Sequence, residues 1–385
     1  MKWVLNHKEI NILILCTYPS AYVVQLYNNV KKYYPNVKYS IFTQDNSKDF
    51  FLKRINFNDD EKLYSFGNHE YLCLIEASKL PKFDVIHSLW MEHFWGGEAA
   101  TIIREKCNYW FASVGGSDLY RDSNKLLHKI LQKRIIARAD LISSENLETK
   151  ERFYHVYGEK CINIKHEIIR FGVDILDEID VLSNDTLDVK AIKEKYHIPA
   201  DKIVIMCGTN ARQQHQHMIM LERLSTLPQS IISNICLFIP MTYDGTEEYI
   251  SEVESKARSL FENVVVLKEF LNTREMAEIT IVTDIMIHVQ TTDQLSSIMI
   301  AQMYNGNIVV AGEWLPYNSL KERNVYFLGV EDIDSLADCI EKAVEEIDIN
   351  RSRCKLNRSI IKDFSSWEKS AEKWYNAYID LIERR

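Results

Sequence analysis

The chain has 385 residues, 46% of them apolar, about twice a common domain length and enough for two hydrophobic cores. A formal charge of -9 argues against a nucleic-acid protein, which needs a basic surface to neutralise phosphates. The eight cysteines form no C-x-x-C pair, the first residues MKWVLNHKEI carry no long apolar stretch, and no apolar run reaches the roughly 18 to 20 residues of a membrane span, so a cytoplasmic chain without zinc site or disulfide framework is expected.

Asn11 to Cys16 reads as a first strand, followed by the loop Thr17-Tyr18-Pro19-Ser20 and a helix carrying Val23, Val24, Leu26, Tyr27 and Val30. Val37 to Phe42 and Phe83 to His87 read as further strands with a helix around Tyr71 to Lys79 between them, an alternation that favours a parallel α/β sheet. The first loop lacks G-x-G-x-x-G, which argues against a dehydrogenase. His87 stands at a strand end, with Glu92 and His93 in the loop beyond it. It reads equally as a buried histidine and as a catalytic or acceptor-contacting one. Trp110 to Val114 is the next strand, and after it Asp118 is either a catalytic carboxylate or a helix cap.

Asn124 to Arg138 is a basic amphipathic helix, with Lys125, Lys129, Lys133, Arg134 and Arg138 on one side and Leu126, Leu127, Ile130 and Ile135 on the other. A solvated face over a core stripe is expected first, and a contact with anionic lipid headgroups second. Ala139 to Ser144 is a strand, Ile168 to Asp174 a strand and turn, and the acidic stretch Asp174 to Asp188 a linker. Domains are expected at 1-178 and 179-362, with 363-385 as a terminal helix.

The second half opens with the strand Lys202 to Cys207, whose end carries Gly208-Thr209-Asn210-Ala211-Arg212 and then a helix from about Gln216 to Leu224. A glycine there lets backbone N–H groups approach a phosphate, and the Arg212 guanidinium can neutralise it. Ile235 to Pro240 is a strand with Thr242 in its loop, and Glu247 to Phe261 a helix. From Val264 to Val310 the pattern runs strand, helix at Thr273 to Ile279, strand at Asp284 to Val289, polar loop, helix and strand. The loop Gln290 to Ser297 is the candidate ligand end, because ligands of open parallel sheets sit at the carboxyl ends of strands near helix N-termini. Glu313-Trp314-Leu315-Pro316 is a further candidate for a cleft lining.

The stretch 264-310, with Gly306 ahead of Ile308-Val309-Val310, resembles the donor-binding domain of GT-B glycosyltransferases. The Gly115-Gly116-Ser117-Asp118 turn resembles their HGSD turn, and Phe171-Gly172-Val173-Asp174 the G-V-D turn that closes their first domain. GTNARQQHQH at 208-217 and IPMTYDGTEEYISEV at 239-253 look like the 4-acetamido-fucose transferases that extend lipid-linked saccharides, within the wider likeness to retaining GT-B hexosyltransferases. Two departures stand out: Gly115 replaces the usual histidine, and of the two glutamates eight positions apart, one falls on Asp293 and the other on Ala301.

The resemblance implies two Rossmann-like domains facing a cleft, a UDP- or TDP-sugar donor without a metal, and a glycan or polyprenyl-linked acceptor in bacterial surface polysaccharide or glycoconjugate synthesis. Expected donor-binding residues are Gly208, Thr209, Asn210, Arg212, Thr242, Thr292, Asp293, Gln294, Leu295, Ser296 and Ser297. Tyr18, Glu92, Gly115 and Gly116 are expected on the acceptor side, and His87, His93, Asp118 and Arg212 in the chemistry. The terminal helix is expected to pack back on the first domain. The rivals are a nucleotide-sugar epimerase or hydrolase on the same fold, and a non-catalytic partner subunit.

Overall fold

The structure, a computed structural model, describes residues 8–158, 161, 163–184, 188–293 and 295–383. It divides into two compact units, Met1–Gly172 with Trp367–Arg385, and Val173–Ser366.

The first unit holds β1 (Ile10–Leu15), β2 (Val37–Gln44), β3 (Leu63–Phe66), β4 (Phe83–Ser88), β5 (Cys107–Ser113), β6 (Leu141–Ser144) and β7 (Lys165–Ile168). They form one sheet in the order β3-β2-β1-β4-β5-β6-β7. Every adjacent pair is parallel. The order reverses between β1 and β4, which makes their carboxyl ends the place where adjoining loops part and a ligand crevice opens. The terminal helix Trp367–Glu383 buries Trp367, Ala371, Trp374, Tyr375 and Tyr378 in the core that also takes Ile12, Ile14 and Phe111. That spacing of three and four residues is one helical stripe, and it places the helix on the first unit's sheet.

The second unit holds β8 (Ile203–Cys207), β9 (Ile235–Pro240), β10 (Val264–Leu267), β11 (Ile285–His288), β12 (Ile308–Gly312) and β13 (Leu328–Val330), in the order β10-β9-β8-β11-β12-β13 and again parallel throughout. Its reversal lies between β8 and β11. The central strands IVIMC, ICLFIP and IVVAG are apolar without alternation because helices cover both faces of a parallel sheet.

Three local expectations are corrected. The stretch 174-188 is not a linker over most of its length: Ile175–Asn184 is a helix of the second unit that buries Ile175, Leu176, Ile179 and Leu182. Of the strand and turn expected at Ile168 to Asp174, the strand lies earlier, at Lys165–Ile168, and Ile169 to Val173 are irregular. The basic helix runs Leu126–Ile136 and buries Gln132, Ile135 and Ile136, while Leu126, Leu127 and Ile130 are 77%, 64% and 44% exposed. Its expected core stripe therefore faces solvent in large part.

Candidate active site

At the β8 end of the second unit's switch point, Gly208 adopts φ 71°. A Cβ there would lie 2.8 Å from His217 Nε2 and 3.3 Å from the His215 side chain, so only glycine lets the turn pass this closely. The turn is stiffened by its own polar groups. Thr209 and Asn210 are buried, Thr209 Oγ1 lies 3.3 Å from His215 Nε2, and Asn210 Oδ1 accepts the Arg212 N–H at 3.0 Å. Arg212 leaves this turn with its side chain 40% exposed, paired at 2.5 Å with Asp244 from the loop after β9. Thr242 in that loop is half-buried.

The β11 end supplies the second half of the site. Asp293 Oδ2 accepts the backbone N–H groups of Leu295 at 3.0 Å and Ser296 at 2.8 Å. It also accepts the Tyr317 hydroxyl, and His288 Nε2 lies 3.2 Å away. Burial alone would raise this carboxyl, but the His288 and Tyr317 contacts and the Ser296 N–H outweigh it and hold the pKa down at about 2. Leu295 sits at φ 83°, a left-handed conformation that a branched residue keeps only when its surroundings impose it, and the two N–H bonds to Asp293 are that constraint. Helix Ser297–Asn305 follows, and its cap is Ser296, whose Oγ accepts the Met299 N–H. Asp293 thus shapes the loop ahead of the helix rather than capping it.

The two loops are joined directly. Thr291 N–H donates to Gln214 O at 2.9 Å, and Gln216 Nε2 donates to Val289 O at 2.5 Å. Trp314 Nε1 donates to Gln290 O at 2.8 Å, so the segment after β12 braces the same loop through Trp314 and Tyr317. Thr292 is exposed at the rim, and Ser297 is half-buried at the helix start. Gln294 lies outside the described residues. Ala301 is fully buried among Met286, Met299 and Met303. Sequence reasoning missed His288, Asp244 and Tyr317, whose partners lie far along the chain or carried no motif.

In the first unit the switch point brings the β1 and β4 loops together. Thr17 donates its backbone N–H to Glu92 at 3.2 Å and its hydroxyl to the same carboxylate. Burial chiefly, with the nearby Asp118 charge, pushes Glu92 up to about 7 against the Thr17 hydrogen bonds. Asp118 is 3% exposed and spends its oxygens on the backbone N–H groups of Met91, Gly115 and Leu119 at 2.9, 3.1 and 2.9 Å. Burial raises it to about 7 as well. This geometry fits the cap reading: Asp118 ties the ends of β4 and β5 together. Gly115 and Gly116 are half-buried at the start of the short helix Gly116–Tyr120.

His87 fits the buried reading. It is fully buried, its Nδ1 lies 2.8 Å from the Tyr378 hydroxyl and its Nε2 2.8 Å from Ser113 Oγ, and its ring stacks on Phe111 at 4.2 Å. Burial lowers its pKa to about 3, so it is a neutral core residue that docks the terminal helix. The His93 side chain lies outside the described residues. Among the described residues no group of three or more His, Cys, Asp or Glu side chains is placed to hold a metal ion.

No protein-family model matches the chain, and no curated protein matches its sequence. Solved structures do match. Sucrose-phosphate synthase from Thermosynechococcus elongatus superposes with a TM-score of 0.75 at 15% identity, covering 98% of this chain and 100% of that one. Anabaena HepE in complex with UDP-glucose gives 0.73 at 14% identity, covering 97% and 100%. A glycosyltransferase from Rickettsia africae gives 0.73 at 13% identity, covering 98% and 100%. With two parallel sheets of seven and six strands matched over nearly the whole chain, the fold is that of the GT-B glycosyltransferases.

Proposed function

We propose that the protein transfers a hexosyl group from a nucleotide-diphosphate sugar, with UDP as the carried nucleotide, to a glycan or lipid-linked acceptor in the assembly of a surface polysaccharide or glycoconjugate. The observation that carries this is the second unit's switch point. A glycine held at φ 71°, an exposed guanidinium and a braced carboxylate meet there at the ends of β8 and β11. The UDP-glucose complex of HepE, a structure of the same fold, supports UDP as the carrier.

The chemistry follows from charge. Breaking the anomeric C–O bond leaves positive charge on the sugar and negative charge on the departing diphosphate. Arg212 and the partial positive charge at the start of Ser297–Asn305 stabilise the diphosphate without a divalent cation, so turnover should survive EDTA. Asp293 accepts hydrogen bonds from sugar hydroxyls. A thermal-shift screen of nucleoside diphosphates tests donor binding: a ligand at 100 times its dissociation constant adds about 2.7 kcal/mol to native stability. UDP should stabilise the protein, and no shift with any nucleoside diphosphate would defeat the reading.

A lipid-linked acceptor places the protein at the inner face of a membrane, and the helix Leu126–Ile136 is suited to that contact. No helix among the described residues is long and apolar enough to cross a membrane. Leu126, Leu127 and Ile130 are exposed beside Lys125, Lys129 and Lys133 in a chain whose net charge is negative. Each basic residue near an anionic surface contributes about 1 kcal/mol, screened by salt. Replacing the three lysines by Gln should abolish co-sedimentation with phosphatidylglycerol vesicles at low salt. Undiminished binding would return the helix to an ordinary solvated face.

A further inference from the structure

Beside Glu92 the first unit carries a group of partly exposed aromatic rings at the edge of its core. Tyr18 and Tyr22 are 40% and 42% exposed, and Trp90 is half-buried. The Tyr18 and Trp90 rings lie 5.3 Å apart at 47°, and Tyr22 meets Trp90 edge-on at 6.2 Å. Tyr22 is held from behind by Phe171 at 5.1 Å. The three side chains come from the loop and helix after β1 and the loop after β4, so they stand at the first unit's switch point.

The Trp90 position depends on a glycine. A Cβ on Gly115 would lie 2.0 Å from Trp90 Cδ1 and 2.2 Å from Nε1, so the indole occupies the volume that a side chain at 115 would need. The missing histidine of the Gly115-Gly116-Ser117-Asp118 turn is thus the condition for an indole at this place. Glu92, two residues on, is held by Thr17, the neighbour of Tyr18, and the turn that presents it is fixed by the Asp118 bond to Met91 N–H.

Apolar rings set beside a carboxylate match one ligand chemistry well. A pyranose has an apolar face of C–H groups, which lies on aromatic rings, and an equatorial rim of hydroxyls, which donate to a carboxylate. A lipid tail would not use the carboxylate, and a phosphate would be repelled by it. We infer that Tyr18, Tyr22 and Trp90 form a platform for a sugar ring of the acceptor, with Glu92 accepting a hydrogen bond from one of its hydroxyls. This rests on the transferase reading for the word acceptor, but the sugar subsite itself does not depend on it. Glu92 then binds the hydroxyl that is to be glycosylated or its neighbour.

Saturation-transfer difference NMR tests the subsite on the whole protein, with methyl glycosides of glucose, galactose, mannose and N-acetylglucosamine at millimolar concentration as probes and UDP binding followed in parallel by thermal shift. Ring C–H signals of at least one glycoside should appear with wild type. They should fall at least fivefold in Tyr18→Ser, whose exposed side chain can be removed without opening the core, and in Gly115→Ala, which displaces Trp90. Trp90→Phe should retain part of the signal, and UDP binding should be the same in all four proteins. Signals that survive Tyr18→Ser and Gly115→Ala, or wild type that binds UDP and none of the glycosides, would overturn the assignment. A sugar signal that depends on Tyr18 and Gly115 in a protein that binds no UDP would support the subsite and count against the donor reading alone.

Discussion

Arg212→Ala should lower kcat/KM for the donor by about 30- to 1,000-fold, roughly 2 to 4 kcal/mol of transition-state stabilisation, the scale of one donor aimed at developing negative charge. The guanidinium is held by the stiff 208-212 turn and half exposed, so little desolvation opposes its use. Its present partner, Asp244, forms an exposed pair worth about 0 to 1 kcal/mol, and a diphosphate with two negative charges displaces it readily. Folding stability should therefore change by less than about 1 kcal/mol. Arg212→Lys keeps the charge but loses the planar fork, and should recover only part of the activity. Wild-type kcat/KM in the alanine variant would remove Arg212 from the site.

The second large effect is expected at Asp293, where structure and chemistry can be separated by the choice of replacement. Asp293→Ala removes the carboxylate that accepts the Tyr317 hydroxyl and the Leu295 and Ser296 N–H groups, and should cost roughly 2 to 4 kcal/mol of stability together with most of the activity. Asp293→Asn keeps one acceptor oxygen for those donors and should fold with a loss of about 1 kcal/mol, yet lower turnover 10- to 100-fold, or roughly 1.4 to 2.7 kcal/mol, because the NH2 that replaces the second oxygen cannot accept from sugar hydroxyls. Free UDP should bind Asp293→Asn nearly as it binds wild type, while the intact UDP-sugar binds more weakly. Equal weakening of both, or of neither, would confine Asp293 to the loop it braces. The pH dependence has a definite sign. The folded carboxyl is held below its ordinary 3.8, so its contribution is present above about pH 4 and is lost as pH falls towards 2; the stability gap between wild type and Asp293→Asn should close over that range.

The central strands could be read from sequence because parallel strands buried on both faces are unbroken apolar runs, as in Lys202 to Cys207 and Ile235 to Pro240. The short edge strands LYSF, KHEI and LGV, β3, β7 and β13, could not, since each has only three or four residues, too few to show a pattern. The helix Ile175–Asn184 was hidden by Asp177, Glu178 and Asp180, although Ile175, Leu176, Ile179 and Leu182 carry its stripe. At the sites, Gly208, Arg212 and Asp293 stand out because strand ends can be counted along the chain. Thr17 meeting Glu92 across 75 residues, Tyr317 meeting Asp293 across 24, and Trp90 filling the space over Gly115 are products of sheet order, which no local pattern encodes. His87 marks the opposite case: a strand-end histidine turned inward by Tyr378 of a helix almost 300 residues away.

The measurement that bears most directly on glycosyl transfer is UDP release from a panel of UDP-hexoses, with and without the glycosides bound at the Tyr18 and Trp90 platform, with both products weighed by mass spectrometry. UDP release should rise at least tenfold with acceptor, matched mole for mole by a glycoside one hexosyl unit heavier. Equal release without acceptor and no heavier glycoside would make the protein a hydrolase, an interconverted sugar still attached to UDP would make it an epimerase, and a protein that neither binds nor turns over any UDP-hexose would contradict transfer altogether.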